Sequence, residues 1–335
     1  MALGLAVGLA IPAVGCGFWQ DPPLDSAAVA RPVPRERPDD RDVAALIPAG
    51  VETVIEVDMA ALRRSPWTSP ALINPDERLR DRKAAALGYD DFADVDRLIY
   101  AVGATGPAAP TMVVAQGRFL TTNVEAAFRD RWPSARADRW RGLTTLSSGE
   151  GALAALTPRT FCSGSLDEVH AVIDRAFGVG GGFVDEHQGV LRRELLAMAR
   201  FTPPAILATV VLGDRIRARV GDAFPLPPQL RLVGARLDLG ETLDLQAVGV
   251  LDDQAAAAML ARRLGAVLTG LGARVALGSL GLSALVNSVR VSADGTAVRV
   301  ATTMPADRRD EVSVALRTIV SALRGHGDPK PGGSW

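Results

Sequence analysis

The chain has 335 residues and a formal net charge of −1, with 48% hydrophobic and 22% charged residues. This composition is typical of a globular protein with room for two domains, and the balanced charge argues against nucleic acid as a partner. The two cysteines, Cys16 and Cys162, are too few for a disulfide framework.

Residues 1–16 are predicted to form a signal peptide that ends in a lipobox. The first 19 residues carry no charge, and Leu3–Ala10 is an apolar run. The stretch Ala13-Val14-Gly15-Cys16 resembles the lipobox of bacterial lipoproteins. This resemblance implies that the sulfur of Cys16 receives diacylglycerol and that cleavage leaves Cys16 as the new N-terminus. The alternatives are an ordinary signal peptide and an uncleaved membrane helix, although several glycines and a proline disfavour the helix.

Residues 17–42 are predicted to be a disordered, proline-rich tether, and residues 326–335 a flexible tail. Such a tether would hold a folded body away from the membrane that the lipid enters. We therefore expect a protein of the cell envelope that is lipid-anchored and faces the periplasm. The outer membrane is favoured over the inner membrane, because Gly17 follows the cysteine where aspartate favours inner-membrane retention in some bacteria.

The first predicted repeat, residues 43–178, opens on a half-buried strand. In Val51–Val57 apolar residues alternate with Glu52 and Glu56, and Asp58 is a plausible N-cap for the short helix that follows. The later elements are a helical segment at 70–87, strands at 97–102 and 111–119, a helix with the capping box Thr122–Glu125, strands at 143–147 and 152–156 joined by Gly149–Gly151, and a helix with the capping box Ser165–Glu168.

The second predicted repeat, residues 204–325, follows a linker with a helix at 179–203. Its elements are a strand at 205–212, a helix at 213–223, strands at 230–239 and 243–251, a helix capped by Asp252 or Asp253, strands at 289–292 and 297–302 joined by Asp294-Gly295, and a last helix that carries the apolar residues 312, 316, 319, 320 and 323.

Both halves give the order β-α-β-β-α-β-β-α. The predicted fold class is therefore α+β, with two tandem copies of this unit and antiparallel sheets that carry helices on one face. We expect the Asp294-Gly295 hairpin to be the counterpart of the hairpin at Gly149–Gly151.

Short stretches of the first half resemble a class of uncharacterised envelope lipoproteins from high-GC Gram-negative bacteria. They are Leu46–Ala49, Asp58 with Leu62–Pro66, Gly88–Asp90, and Asp96-Arg97. This class has no assigned activity, so the resemblance implies a location in the envelope and no reaction.

Two clusters of acidic residues contain side chains of the types that can bind metals. His187 follows Asp185 and Glu186 without a regular ligand spacing, which favours a solvated loop. The run Asp90, Asp91, Asp94 and Asp96 lacks the glycine and terminal glutamate of an EF-hand, which favours a capped turn before a strand. We therefore predict no metal site.

Two further groups of residues suggest a phosphate-binding loop and a catalytic pair. The glycines of 178–182 follow a helix and have no lysine behind them, so a joint between the halves is favoured over a phosphate loop. Cys162 with His170 is a candidate nucleophile and base, but a small buried cysteine and a part-buried structural histidine require fewer assumptions. His326 lies in the tail, where we expect no specific role.

The predicted site residues therefore reduce to the lipidation site Cys16, with no catalytic, cofactor-binding or metal residue. The favoured function is that of a non-enzymatic binding or structural module, which contacts the membrane through its lipid and binds an envelope protein or an apolar ligand. The alternative is an envelope hydrolase or other enzyme whose site is assembled from scattered polar residues. A deep cleft with converging carboxylates and a histidine would favour that enzyme.

Overall fold

The computed structural model describes residues 42–68, 81, 84–103, 111–198, 204–221, 226–272 and 287–309. Several predictions fall outside these ranges: the signal peptide with Cys16, the tether up to residue 41, most of the helical segment at 70–87, the last helix at 312–323, and the tail with His326.

Strands and helices are interspersed along the described chain. In chain order they are β1 (Val51–Asp58), α1 (Met59–Arg64), β2 (Val95–Gly103), β3 (Thr111–Gly117), α2 (Thr121–Arg131), β4 (Arg136–Trp140), β5 (Leu143–Ser148), β6 (Gly151–Thr157), β7 (Thr160–Gly164), α3 (Leu166–Ala176), α4 (His187–Ala197), β8 (Ile206–Val211), α5 (Asp214–Gly221), β9 (Leu230–Leu239), β10 (Leu243–Leu251), α6 (Gln254–Gly272), β11 (Arg290–Asp294) and β12 (Ala297–Met304).

These strands form one 12-stranded antiparallel sheet. Its order is β11-β12-β10-β9-β8-β1-β2-β3-β7-β6-β5-β4. In the middle, β1 pairs with β2 on one side and with β8 on the other, with Ile55 opposite Ala208. The α+β class and the antiparallel pairing are confirmed. The prediction of separate sheets is wrong, because β1 and β8 each have one side without a partner in their own half and pair with each other.

Helices cover both faces of the sheet, so the prediction of helices on one face is wrong. Successive residues of a strand point to opposite faces. In β3, Met112 and Val114 belong to one core cluster with Val169 of α3, whereas Ala115 belongs to another with Val124 of α2. Strands β2 and β3 are apolar at successive positions, which is typical of strands buried on both sides.

We call the side that carries α3 and α4 the front face. There, Leu191 and Leu195 of α4 pack against Leu207 of β8. The opposite side is the back face, which carries α1, α2, α5 and α6. Ile216 of α5 and Ala257 of α6 belong to the back-face core with Val210 of β8.

Some of the predicted N-terminal helix caps are present in the structure, and one is not. The Asp58 carboxylate accepts a hydrogen bond from the N–H of Ala61 at 2.6 Å, and Ser165 with Glu168 forms the predicted capping box. The capping box at Thr122 is wrong, because α2 begins two residues earlier than this box predicts and its N-cap is Leu120, which makes no side-chain cap. Thr121 turns inward instead and is buried.

The two edge strands are short and polar. Strand β4 carries Arg136, Asp138 and Arg139, all exposed, and β11 carries the exposed residues Arg290 and Asp294. Charged residues on short edge strands disfavour pairing with another chain. Among the described helices, none is long and apolar enough to span a bilayer.

Candidate functional site

A pocket of about 190 Å³ opens on the front face, where the end of β1 meets the start of β2. Helix α4 and strand β8 form its other walls, together with the residues just before β1. The side chains that decide its chemistry are Asp42, Glu56, Asp58, Arg97 and Arg192, and its apolar wall is formed by Val43, Ile99, Leu196, Pro204 and Leu207.

An ion-paired network lies at the base of this pocket. Arg192 of α4 donates two hydrogen bonds to the carboxylate of Glu56 on β1, with Nη2 and Oε2 2.8 Å apart. The same Nη2 lies 2.8 Å from Oδ2 of Asp42. The side chain of Arg192 is only 10% exposed and that of Glu56 19% exposed, so the pair is largely shielded from water. One guanidinium therefore joins α4, β1 and the segment before β1.

Burial sets the protonation of this network. It raises the pKa of Glu56 above its ordinary value, and the opposing effect of the Arg192 hydrogen bonds does not cancel the shift. Burial also acts to lower the pKa of Arg192, but hydrogen bonds and charge from Glu56 and Asp42 outweigh it and raise that pKa. Arg192 therefore carries a permanent charge, and Glu56 is the titratable member of the pair.

Two charged groups at the rim of the pocket have hydrogen-bonding atoms that make no hydrogen bond with the described residues. Asp58 of β1 and Arg97 of β2 are directly opposite each other across the ladder. Oδ1 of Asp58 caps α1. Within the described residues the guanidinium of Arg97 makes no hydrogen bond or close ion pair, and Arg97 is exposed.

A second buried polar cluster lies farther along the front face, on β9 and β10. Arg236 donates through Nη1 to the carbonyl of Leu195, 3.2 Å away, in the last turn of α4, where helix carbonyls lack intrahelical partners. Its Nη2 contacts Asp238, which is directly opposite Asp244. Arg236 and Asp238 are 1% and 2% exposed, so this cluster anchors the end of α4 and is closed to ligands.

The candidate nucleophile and base have separate structural roles. Cys162 is fully buried in the front-face core, where its strand neighbour is Val114. His170 stacks on Trp140, with ring centroids 4.2 Å apart and an interplanar angle of 10°. Burial lowers the pKa of His170, and Trp140 donates to Asp174 at 2.8 Å. The interpretation of a buried cysteine and a structural histidine agrees with this placement.

Cys162 is expected to be unreactive in the folded protein, because burial raises the pKa of its thiol to about 12 and the thiolate is the nucleophilic form. Incubation of the full chain carrying Cys16→Ser, which leaves Cys162 as its one thiol, with Ellman's reagent at pH 8 should release almost no thionitrobenzoate until urea unfolds the protein. Rapid release from the folded protein would show that the thiol is accessible.

The candidate metal groups do not converge. Asp185 accepts from the N–H of Gly182, Glu186 accepts from the N–H of Gly50, and His187 is exposed at the start of α4. No cluster of three or more potential ligands able to hold a metal ion occurs among the described residues.

The acidic run forms the capped turn that was predicted. Asp90 accepts hydrogen bonds from the N–H groups of Phe92 and Ala93, at 2.8 and 2.9 Å. Asp94 in turn accepts from the N–H of Asp90. Asp96 points elsewhere and pairs with three arginines, Arg63, Arg118 and Arg159.

The glycines at 178–182 follow the end of helix α3, whereas a phosphate loop follows a strand. Gly178 has a φ of +73°, in the left-handed region that glycine adopts at helix ends, and its N–H bonds to the carbonyl of Arg175. Arg175 also donates to the carbonyl of Gly180. The segment then pairs with the chain before β1 through a bridge between Pro48 and Gly182.

Sequence reasoning did not find the residues that build the pocket. The alternation in β1 predicts that Glu56 lies on the exposed side of a half-buried strand, and Arg192 lies 136 residues farther along the chain. Arg236 and Asp238 alternate with Ala235 and Leu237, a pattern that predicts a solvent-facing side. No local signal identifies such residues as buried, because the helix that covers them is distant in sequence.

No protein-family model matches the chain, and no curated protein matches it in sequence. Among solved structures the chain is similar to TP0453 in its crystal form III, with 11% identity, a TM-score of 0.50, and coverage of 82% of this chain and 99% of that one. Crystal form IV of TP0453 gives 10% identity, a TM-score of 0.51, and coverage of 82% and 96%. At this identity the likeness shows a shared fold and carries no activity with it.

Proposed function

We propose that the protein is an envelope lipoprotein, anchored through lipid on Cys16 and facing the periplasm, that acts as a non-enzymatic binding or structural module. The uncharged apolar segment, the lipobox residues and the proline-rich tether support the anchor. The outer membrane is favoured, because Gly17 follows the cysteine. The partner is an envelope protein or a ligand with apolar groups.

The observation that carries the non-enzymatic role is that Cys162, His170 and the Arg192–Glu56 pair are engaged in holding the fold. Arg192 and Glu56 neutralise each other at the base of the pocket. Cys162 is enclosed in the core, and His170 is stacked on Trp140. An enzyme needs a nucleophile, base or acid that faces its substrate, and these groups face the protein interior or each other.

The test is capture of envelope partners with the intact, lipidated protein. Chemical cross-linking in cells and purification in detergent should give the same set of cross-linked proteins for wild type and for the variants Cys162→Ala, His170→Gln and His187→Ala. Circular dichroism serves as the control for folding. If His187→Ala loses the captured partner while remaining folded, the exposed histidine has a functional role and the enzyme alternative gains support.

We also propose that the chain is a tandem duplication, with the units related by a two-fold axis between β1 and β8. Outward from the centre, one side of the sheet has the order β1-β2-β3-β7-β6 and the other β8-β9-β10-β12-β11. In each unit a back-face helix follows the third strand: α2 follows β3, and α6 follows β10. The matching order and the matching face support a common origin.

This duplication changes one predicted pairing. The β11–β12 hairpin at Asp294-Gly295 corresponds to the β6–β7 hairpin and not to the one at Gly149–Gly151, which joins β5 to β6. The reason is that β7 and β4 lacked a strand prediction, so the count of strands was shifted. An experimental structure tests the duplication: one rotation near 180° should place β1, β2, β3 and β7 on β8, β9, β10 and β12.

A further inference from the structure

The front-face pocket has a size that restricts its ligand. An engineered apolar cavity of about 150 Å³ holds one benzene molecule, and this pocket measures about 190 Å³. Pockets for drug-sized ligands and cofactors measure about 300–1,000 Å³. A nucleotide or a whole lipid would extend beyond the pocket, whereas a compact molecule of fewer than about ten non-hydrogen atoms fits within it.

The partners of its charged groups restrict the ligand further. Glu56 and Asp42 are bound by Arg192, and one oxygen of Asp58 caps α1. Among the described residues, two groups of the pocket can still form hydrogen bonds with a ligand. They are the guanidinium of Arg97, which makes no hydrogen bond to those residues, and Oδ2 of Asp58. They are opposite each other on neighbouring strands, where side chains on one face have Cβ atoms about 4.5–5.5 Å apart.

The pocket therefore offers a positive donor and a negative acceptor side by side. Its five charged side chains are three carboxylates and two guanidiniums, which leaves one net negative charge. A simple anion would be repelled by this excess, and a simple cation would make no contact with Arg97. A zwitterion whose ammonium and carboxylate are attached to the same carbon can pair with both groups.

The apolar wall of the pocket determines which side chain the ligand can carry. Ile99, Leu196 and Leu207 supply apolar surface beside the two free charges. We infer that this pocket binds a small α-amino acid with an aliphatic side chain, its carboxylate on Arg97, its ammonium on Asp58 and its side chain against these three residues. This inference rests on the proposed role as a binding module and gives that module a ligand class.

The test uses the full chain in detergent and isothermal titration calorimetry with three probes. L-Leucine carries both charges, 4-methylpentanoate lacks the ammonium, and 3-methylbutylamine lacks the carboxylate. We expect leucine to bind at least tenfold more tightly than either of the other two, because charge-assisted hydrogen bonds are the strong ones. Equal affinity for all three probes, or no heat with leucine, would overturn the inference.

Two variants assign the contacts. Arg97→Gln should weaken leucine binding by about tenfold or more, and it should fold normally because the guanidinium of Arg97 makes no hydrogen bond to any residue that the structure describes. Asp58→Asn keeps the α1 cap, since asparagine caps as well as aspartate, but removes the charge and should weaken leucine in the same way. Arg139→Gln on the exposed edge strand β4 is the control and should bind as wild type.

The outcomes separate this inference from the proposed function. Unchanged leucine affinity in both pocket variants would place the ligand elsewhere and reject the site, while lipid anchoring and partner capture would stand. If proton NMR shows that bound leucine is converted to a product, the site is supported and the non-enzymatic role is wrong.

Discussion

Replacing Arg192 by methionine is expected to lower the free energy of unfolding by about 3–5 kcal/mol, which is the usual cost of removing one partner from a buried ion pair. Glu56 would remain buried without its two hydrogen bonds from Arg192. Asp42 matters less, because its side chain is 48% exposed and can be solvated. Urea unfolding followed by circular dichroism measures the change, and a loss below about 1 kcal/mol would show that the pair is solvated in the native protein.

The matched control is the double variant Arg192→Met with Glu56→Met. Replacing both members of a buried pair by apolar residues is often neutral, so the double variant should be more stable than Arg192→Met alone. If the two losses simply add, the side chains do not interact.

The same variant should respond to pH. Because burial raises the pKa of Glu56 in the folded protein, its contribution to stability is complete below its unfolded pKa and is lost as the pH rises through its folded pKa. Removing Arg192 removes an interaction that lowers this pKa, so acidification from neutral pH should restore more stability to Arg192→Met than to wild type. Parallel pH profiles of the two proteins would contradict this assignment.

Replacing Cys16 by serine should abolish the incorporation of radiolabelled palmitate and leave the precursor unprocessed. The lipid attaches through the cysteine sulfur, and each buried methylene contributes about 0.8 kcal/mol to membrane binding. The matched control is Cys162→Ser, which changes the other cysteine of the chain and should take up label as wild type does. Label in Cys16→Ser, or none in wild type, would reject the lipid anchor.

Local signals predicted local structure well. The capping box at Ser165–Glu168 and the hairpin at Asp294-Gly295 are present as predicted, because each depends on residues only a few positions apart. Gly295 adopts the positive φ of +55° that this turn requires. Strand β4 was missed because its sequence RADRW does not alternate, and it exists through its ladder with β5.

Long-range structure was beyond such signals. Alternation in β1 predicts which residues share a face, but it does not say what covers that face. Whether the side chain of Glu56 contacts water or Arg192 depends on where α4 packs, and α4 follows the whole first half in the sequence. The pocket therefore could not be predicted, since its walls come from segments that adjoin only in the assembled sheet.

The central position of β1 has a consequence for the order of folding. Its partner β2 follows in the same half, whereas its other partner β8 is about 150 residues away in the chain. Until the halves meet, β1 and β8 are unprotected edges of incomplete sheets, and β8 in particular has the apolar sequence ILATVV without a charge. Such an edge promotes association between chains. We therefore expect the refolding yield after dilution from urea to fall as protein concentration rises, and a yield independent of concentration would show that the two halves join before their edges can find another chain.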